Sequence, residues 1–113
     1  MKVLDLINLK PQIEKLAEKE MDVESAVITA RFMREMVIII NKFEQERITL
    51  VKKFGEPKED GSMEVIDEAK KIKFQKAVEK LVNEEADIKK IDAVMMGFKA
   101  TPMEVINILP IFD

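Results

Sequence analysis

The chain has 113 residues, of which 47% are hydrophobic and 36% charged, and its formal net charge is −3. This length and composition are typical of one folded helical domain over residues 1–113, and the near balance of acids and bases argues against a protein that coats nucleic acid. The chain has no His, Cys, Trp or Tyr, so it lacks the usual general base, thiolate nucleophile and imidazole metal ligand. We therefore expect a protein that is not an enzyme and that uses no metal or cofactor.

Nothing in the sequence indicates a membrane protein. Its apolar runs stay well short of the roughly 20 residues that a helix needs to cross a bilayer. Residues 1–5 introduce an acid early, and no small-residue cleavage site follows, which is unlike a signal peptide. We therefore expect a cytoplasmic protein that does not bind a membrane.

The N-terminal region combines a short apolar segment with the start of a helix. Residues 3–9 suit either a strand or the lead-in to a helix, because seven residues are too few for periodicity to decide. Pro11 suits the first position of a helix, where a missing amide hydrogen costs nothing. Ile13 and Leu16 would lie on the apolar face of this helix, which should end near Glu20.

Residues 22–54 are predicted to form one long amphipathic helix. Asp22 is a suitable N-cap, and Gly55 stands where a left-handed C-cap is expected, with Pro57 just beyond it. At about 3.6 residues per turn, one stripe collects most of the apolar side chains. They are Phe32, Met33, Met36, Ile39, Ile40, Phe43, Leu50, Val51 and Phe54.

Ile38 falls outside this stripe and points into the polar face, so something else has to cover it. Another segment of the same chain would do so, and so would a second copy or a partner protein. Cover from within the chain and cover by another molecule both stay open, because the other helices and the tail of this small chain also have apolar faces to bury. If a second copy covers Ile38, we expect Phe32, Met36 and Ile38 to contribute to the interface of a homo-oligomer.

Arg47 is predicted to lie in the middle of the apolar stripe. A buried guanidinium needs a carboxylate or a carbonyl partner. We favour an ion pair inside the fold, with Glu85 as one candidate acid, because structural ion pairs outnumber functional ones. The alternative is an arginine that binds a partner protein or a phosphate group.

The segment after the long helix predicts a reversal of the chain. Asp60-Gly61 suits a tight turn, and residues 63–66 can extend as one side of a minor β-hairpin. A second helix should follow over residues 68–85. Its apolar face would consist of Phe74, Ala77, Val78, Leu81 and Val82. Because a reversing loop joins them, the two helices should lie antiparallel as a helical hairpin.

The C-terminal segment is irregular until it reaches a short helix. Apolar side chains over residues 87–100 are spaced unevenly, as in an extended or bent chain. Thr101-Pro102 with Glu104 then predicts a short helix over residues 103–109, because this pattern combines a capping box with a proline in the first position. Four apolar side chains of the segment are candidate partner contacts: Met95, Met96, Met103 and Phe112.

Several of these features occur together in one known family. They are the helix end Phe54-Gly55-Glu56, the acidic turn Lys58-Glu59-Asp60-Gly61, the helix end Asn83-Glu84-Glu85-Ala86-Asp87-Ile88, and the late Thr101-Pro102 helix. In this order the chain resembles a family of small, uncharacterised tailed-phage proteins from Gram-positive hosts, over most of its length from Arg31 onward. The resemblance implies a phage or prophage protein made in the cytoplasm of a bacterial host, and it implies no activity.

Two functions are compatible with this pattern. The first is a phage accessory protein that binds a host protein in a stoichiometric complex and inhibits it, for example a defence or replication protein. The second is a structural or assembly factor of the virion that works by self-association. Nucleic-acid binding is the weaker hypothesis, because the basic stripe of Lys73, Lys76 and Lys80 includes no aromatic side chain that could stack on bases.

Overall fold

The computed structural model describes residues 1–93 and 96–112. Its elements in chain order are helix α1 (Val3–Ala17), helix α2 (Val23–Phe54), strands β1 (Glu56–Pro57) and β2 (Met63–Glu64), helix α3 (Glu68–Val82) and helix α4 (Pro102–Ile108). A 3₁₀ turn, Leu109–Ile111, follows α4 directly. The predicted fold class, mainly α with a minor β-hairpin, is confirmed.

Helix α2 forms the long axis of the molecule. Its 32 residues extend for about 48 Å at 1.5 Å per residue, close to the longest dimension of the fold, 51 Å. The Asp22 carboxylate accepts a hydrogen bond from the Ser25 amide at 3.0 Å and caps the first turn. The predicted extent of this helix and its N-cap are confirmed.

Helix α1 supplies the largest share of the core. Five of its side chains are buried at helical spacing: Val3, Leu6, Leu9, Ile13 and Leu16. They join one apolar cluster with Phe32, Met36 and Phe43 of α2. Residues 3–9 are therefore helical, which is one of the two alternatives that the sequence left open.

The prediction that Pro11 begins a helix is wrong. Helix α1 begins at Val3 and carries Pro11 in its interior, on the exposed side. A proline there cannot donate its backbone hydrogen bond and costs about 3 kcal/mol. The continuous apolar face of α1, buried on both sides of the proline, offsets this cost and keeps the helix in one piece.

A two-stranded antiparallel sheet reverses the chain after α2. Glu56 pairs with Glu64, and Pro57 pairs with Met63. Gly61 has a positive φ of 84° at the turn, which is the conformation that Asp60-Gly61 predicts. Helix α3 then packs back along α2 as predicted, although none of its side chains is fully buried.

Gly55 ends α2 for a different reason than the one predicted. Its backbone is extended, with φ −89° and ψ 167°, so the expected left-handed C-cap is absent. The Gly55 amide donates to the carbonyl of Val51 at 2.7 Å, and a Cβ at position 55 would collide with that same oxygen. Glycine is needed here for the close approach of the backbone.

The C-terminal segment closes the core against the start of α1. The Ala86 amide donates to the carbonyl of Met1 at 2.8 Å, and the Ile91 amide donates to the carbonyl of Ile111 at 2.8 Å. Ile108 and Ile111 are buried in the same apolar cluster as α1. The tail is thus anchored at both ends of its irregular stretch.

Helix α1 should determine whether the molecule folds at all. Replacing the fully buried Leu6 by Ala leaves a cavity against α2, and we expect the free energy of unfolding to fall by about 2–5 kcal/mol. Leu4→Ala, two residues earlier and on the exposed side of α1, should change it by less than about 1 kcal/mol. Urea unfolding followed by circular dichroism checks both variants, and equal losses for the two would contradict the assigned face of α1.

Candidate functional site

Exposed apolar side chains are the most distinctive feature of the surface. Among residues 1–93 and 96–112, no group of three or more acidic side chains is arranged to hold a metal ion. None of the helices in that part of the chain is long and apolar enough to cross a membrane. Most of these side chains lie on two elements, α2 and α4 with its following turn, whereas Leu4, Ile66 and Ile72 are exposed elsewhere.

The first surface, the α2 stripe, runs along the side of α2 that faces away from the core. It contains the exposed apolar side chains Val23, Val27, Val37, Ile38 and Ile48. Ile38 is 60% exposed, so no described segment of this chain covers it. The interpretation in which Ile38 is buried inside the monomer is therefore wrong.

The α2 stripe is open because all other elements pack on the opposite side of α2. The buried residues of α2 are Ser25, Thr29, Phe32, Met36 and Phe43, and these face α1 and the C-terminal segment. At 100° per residue the centre of this set lies about 170° from Val27 and about 110–130° from Val37 and Ile48. A core on one side of a long helix leaves the other side to solvent.

The predicted interface residues Phe32 and Met36 require a correction. They are 3% and 1% exposed and belong to the central apolar cluster. The same cluster contains the buried side chains of α1 and of the C-terminal segment, so Phe32 and Met36 are not available to a partner while the chain is folded. Of Phe32, Met36 and Ile38, only Ile38 lies at the surface.

The burial predicted for Arg47 is also wrong. Its side chain is 40% exposed, and Nε and Nη2 donate to Oε2 of Glu44 at 3.3 and 3.0 Å. The ion pair is internal, as predicted, but the acid is Glu44 one turn earlier on α2 rather than Glu85. A half-exposed pair at this spacing contributes only about 0.2–0.5 kcal/mol.

The second surface, the α4 patch, consists of Met103, Ile106 and Leu109. These side chains are 67%, 58% and 56% exposed and recur every three residues along α4 and the following turn. Ile108 and Ile111, on the other side of the same segment, are buried in the core. The patch is therefore presented by an anchored element rather than by a loose tail.

The other C-terminal residues predicted to contact a partner lie elsewhere. Met96 is half-buried and packs against the core. Phe112 also packs against the core and pairs with Ile91 through a parallel bridge, so its own chain already covers much of it. Met95 lies outside the described residues. Among the described C-terminal residues predicted to contact a partner, only Met103 is strongly exposed.

Polar contacts hold α4 in place. Thr101 and Glu104 form the predicted capping box, with the Thr101 side chain accepting from the Glu104 amide at 3.3 Å and the Glu104 carboxylate accepting from the Thr101 amide at 3.1 Å. The Glu104 carboxylate also forms an ion pair with Lys19, beyond the end of α1. These contacts, that to Lys19 above all, hold the pKa of Glu104 below its ordinary value.

A second contact fixes the irregular segment to the start of α2. The fully buried Ser25 hydroxyl accepts a hydrogen bond from the Gly97 amide at 2.6 Å. A Cβ at Gly97 would lie 3.2 Å from Oδ2 of Asp22, so a larger residue here would press on the carboxylate that caps α2. Sequence reasoning identified the Asp22 cap but missed the role of Ser25, because a serine in a first helical turn carries no long-range signal.

Sequence reasoning also missed most of the exposed apolar side chains. Val27, Val37 and Ile48 are widely spaced along α2, and the denser apolar stripe on the other side of the helix dominates the pattern. Their recurrence at multiples of three and four residues was the signal available. The exposure of Ile106 and Leu109 is harder to predict from the sequence, because α4 is only seven residues long.

Comparison with protein-family models, with curated proteins and with solved structures found no match to this chain. The phage origin indicated by the sequence therefore stays a prediction. The function has to be inferred from the geometry and chemistry of the two apolar surfaces.

The ion pair of Glu104 should make stability depend on pH. Because the pKa of Glu104 is lowered in the folded state, its charge stabilises the fold above its ordinary value of 4.5, and this contribution is lost as the pH falls through the lowered value. We expect Glu104→Gln, which preserves the capping geometry, to be less stable than the wild type near neutral pH and to approach it in acid. Thermal unfolding of the wild type and of Glu104→Gln, near neutral pH and again in acid, measures the difference in stability.

Glu18→Gln is the matched control, since Glu18 is an exposed carboxylate at the end of the neighbouring helix α1. It removes the same charge without removing the contact to Lys19. A stability gap for Glu104→Gln that stays constant from neutral pH into acid would contradict the stabilising role of this ion pair.

Proposed function

We propose that this protein is a small phage or prophage accessory protein that acts by binding another protein in a stoichiometric complex. It works without turnover, metal or cofactor, in the cytoplasm of the bacterial host. The observation that carries the proposal is the α4 patch, where Met103, Ile106 and Leu109 are each more than half exposed on an anchored element.

The chemistry of the α4 patch suits protein binding. Large apolar side chains that are presented together lose water when they enter a pocket of a partner, and a few such anchors supply most of the affinity of an interface. Met103 adds adaptability, because its unbranched thioether fits pockets of different shape. The capping box and the ion pair with Lys19 pre-order the patch, which lowers the entropy cost of binding.

The identity of the partner is proposed from the sequence. The order of helix ends and turns that resembles small tailed-phage proteins supports a phage origin. We propose that the partner is a host protein of defence or replication and that binding inhibits it. The lack of His and Cys is consistent with occupation rather than chemistry.

A second candidate function is supported by the α2 stripe. A virion structural or assembly factor would work by self-association, and a stripe along the full length of the longest helix is a surface on which copies can pair. The two candidates use different surfaces, so substitutions on α4 and on α2 separate them.

Substitution of Ile106 by Glu should abolish partner capture. A carboxylate at the centre of the α4 patch cannot be buried against an apolar pocket, and we expect the affinity to fall at least about tenfold. Affinity capture from host lysate, followed by calorimetric titration of the recovered protein, measures the stoichiometry and the loss. Ile72→Glu is the matched control, because Ile72 is equally exposed on α3.

Equal capture by wild type, Ile106→Glu and Ile72→Glu would contradict the role of the α4 patch. Capture of capsid or tail proteins through the α2 stripe would favour the second candidate. Recovery of nucleic acid in a complex that dissociates with salt would show that the lysines of α3 matter more than either surface.

A further inference from the structure

We propose that the α2 stripe binds a second copy of this chain, with the two α2 helices antiparallel about a two-fold axis beside Ile38. The inference rests on the second candidate function, self-association, and specifies its surface, its symmetry and its charge pairs. It is independent of partner capture by the α4 patch, which lies on another element.

The spacing along the α2 stripe is that of a helix pair. One row of positions on the exposed side of α2, which we call the seam, has alternating spacings of three and four residues. This spacing keeps the whole row in contact with a facing helix. Its positions are Val23, Val27, Ala30, Arg34, Val37, Asn41, Glu44, Ile48 and Val51. Most are apolar, and all but Glu44 and Val51, which are half-buried, are exposed.

The charged seam positions decide the orientation. In a parallel pair, Arg34 would face Arg34 of the second copy and Glu44 would face Glu44, and both contacts are repulsive. In an antiparallel pair centred near Ile38, Arg34 of each copy lies level with Glu44 of the other. The Glu44 side chain is 46% exposed, so its carboxylate can contact Arg34 of the second copy in addition to its ion pair with Arg47.

The flank of the seam supports the same orientation. A second row of residues lies beside the seam, each directly after every second seam position. It consists of Glu24, Arg31, Ile38, Gln45 and Lys52, all exposed. In the antiparallel arrangement Glu24 lies within about 3 Å of the level of Lys52 of the second copy, and the two Ile38 side chains lie beside the axis at a similar offset. The most exposed isoleucine of the chain thus meets its own copy at the centre of the interface.

The same arrangement explains the apolar positions of the stripe. Ala30 would lie level with Ile48 of the second copy, which sets a small side chain against a large one, and Val27 would lie level with Val51. Asn41 would lie beside Val37, and a single polar residue at such a seam commonly limits the register and number of helices. The occupant that best fits this face is therefore a second copy of the chain.

Sedimentation equilibrium of the full chain at tens of micromolar tests the proposal. We expect a species of twice the 13.0 kDa chain mass. Arg34→Glu and Glu44→Arg should each weaken the dimer at least about tenfold, because each replaces two attractive contacts by two repulsive ones. The double variant, Arg34→Glu with Glu44→Arg, exchanges the charges and should restore the dimer to within about threefold of the wild type.

The controls separate folding from association. Circular dichroism checks that each variant keeps its helix content. Ile72→Glu places a charge on an exposed isoleucine outside the stripe and should leave the dimer intact.

Cross-linking through a single introduced cysteine reports the orientation of the two helices. The chain has no cysteine, so Val27→Cys provides one reactive site in each copy. In the antiparallel dimer the two copies of residue 27 lie about 36 Å apart and cannot be joined by a short bismaleimide, whereas in a parallel dimer they would be adjacent.

Three results would overturn the proposal. A dimer unaffected by Arg34→Glu and Ile38→Glu would place self-association on another surface and leave the second candidate function standing. Cross-linking through Val27→Cys would show a parallel pair. A monomer throughout, in a protein that still captures a host partner through Ile106, would reject the dimer while leaving the proposed function intact.

Discussion

The packing of α1 on one side of α2 is the contact on which the rest of the structure depends. The five buried side chains of α1 provide the largest share of the apolar cluster, and the C-terminal segment closes over the same cluster through Ile91, Ile108 and Ile111. Helix α3 adds cover along the C-terminal half of α2 without burying a residue of its own. Because every element packs on one side, the core holds the fold together and leaves the opposite side of α2 to solvent.

Much of this architecture could be predicted because local rules determine it. The extent of α2, its Asp22 cap, the turn at Gly61 and the capping box of Thr101 and Glu104 each follow from residues a few positions apart. The periodicity of α2 also separated its apolar side from Ile38. It cannot show which neighbour covers that side, so from the sequence alone Phe32 and Met36 are candidates both for the core and for an interface.

The errors have the same physical origin, since each depends on contacts distant in sequence. Arg47 was expected to be buried because it lies within an apolar stripe, but α3 covers that part of α2 only partly and leaves the guanidinium at the surface with Glu44. Pro11 was expected to begin a helix, but the buried face of α1 extends across it. The exposure of Ile106 and Leu109 follows from the docking of Ile108 and Ile111, which no local pattern indicates.

The account as a whole requires the α2 stripe to be open in the single chain and closed between copies. Isoleucine methyl NMR with a soluble paramagnetic agent measures this directly, because Ile38, Ile48 and Ile106 are exposed while Ile13 and Ile111 are fully buried. In dilute solution we expect the agent to broaden the three exposed residues and spare the two buried ones. As the protein concentration rises, Ile38 and Ile48 should become protected while Ile106 stays accessible. Protection of Ile38 at every dilution, or exposure of Ile38 at every concentration, would contradict the account.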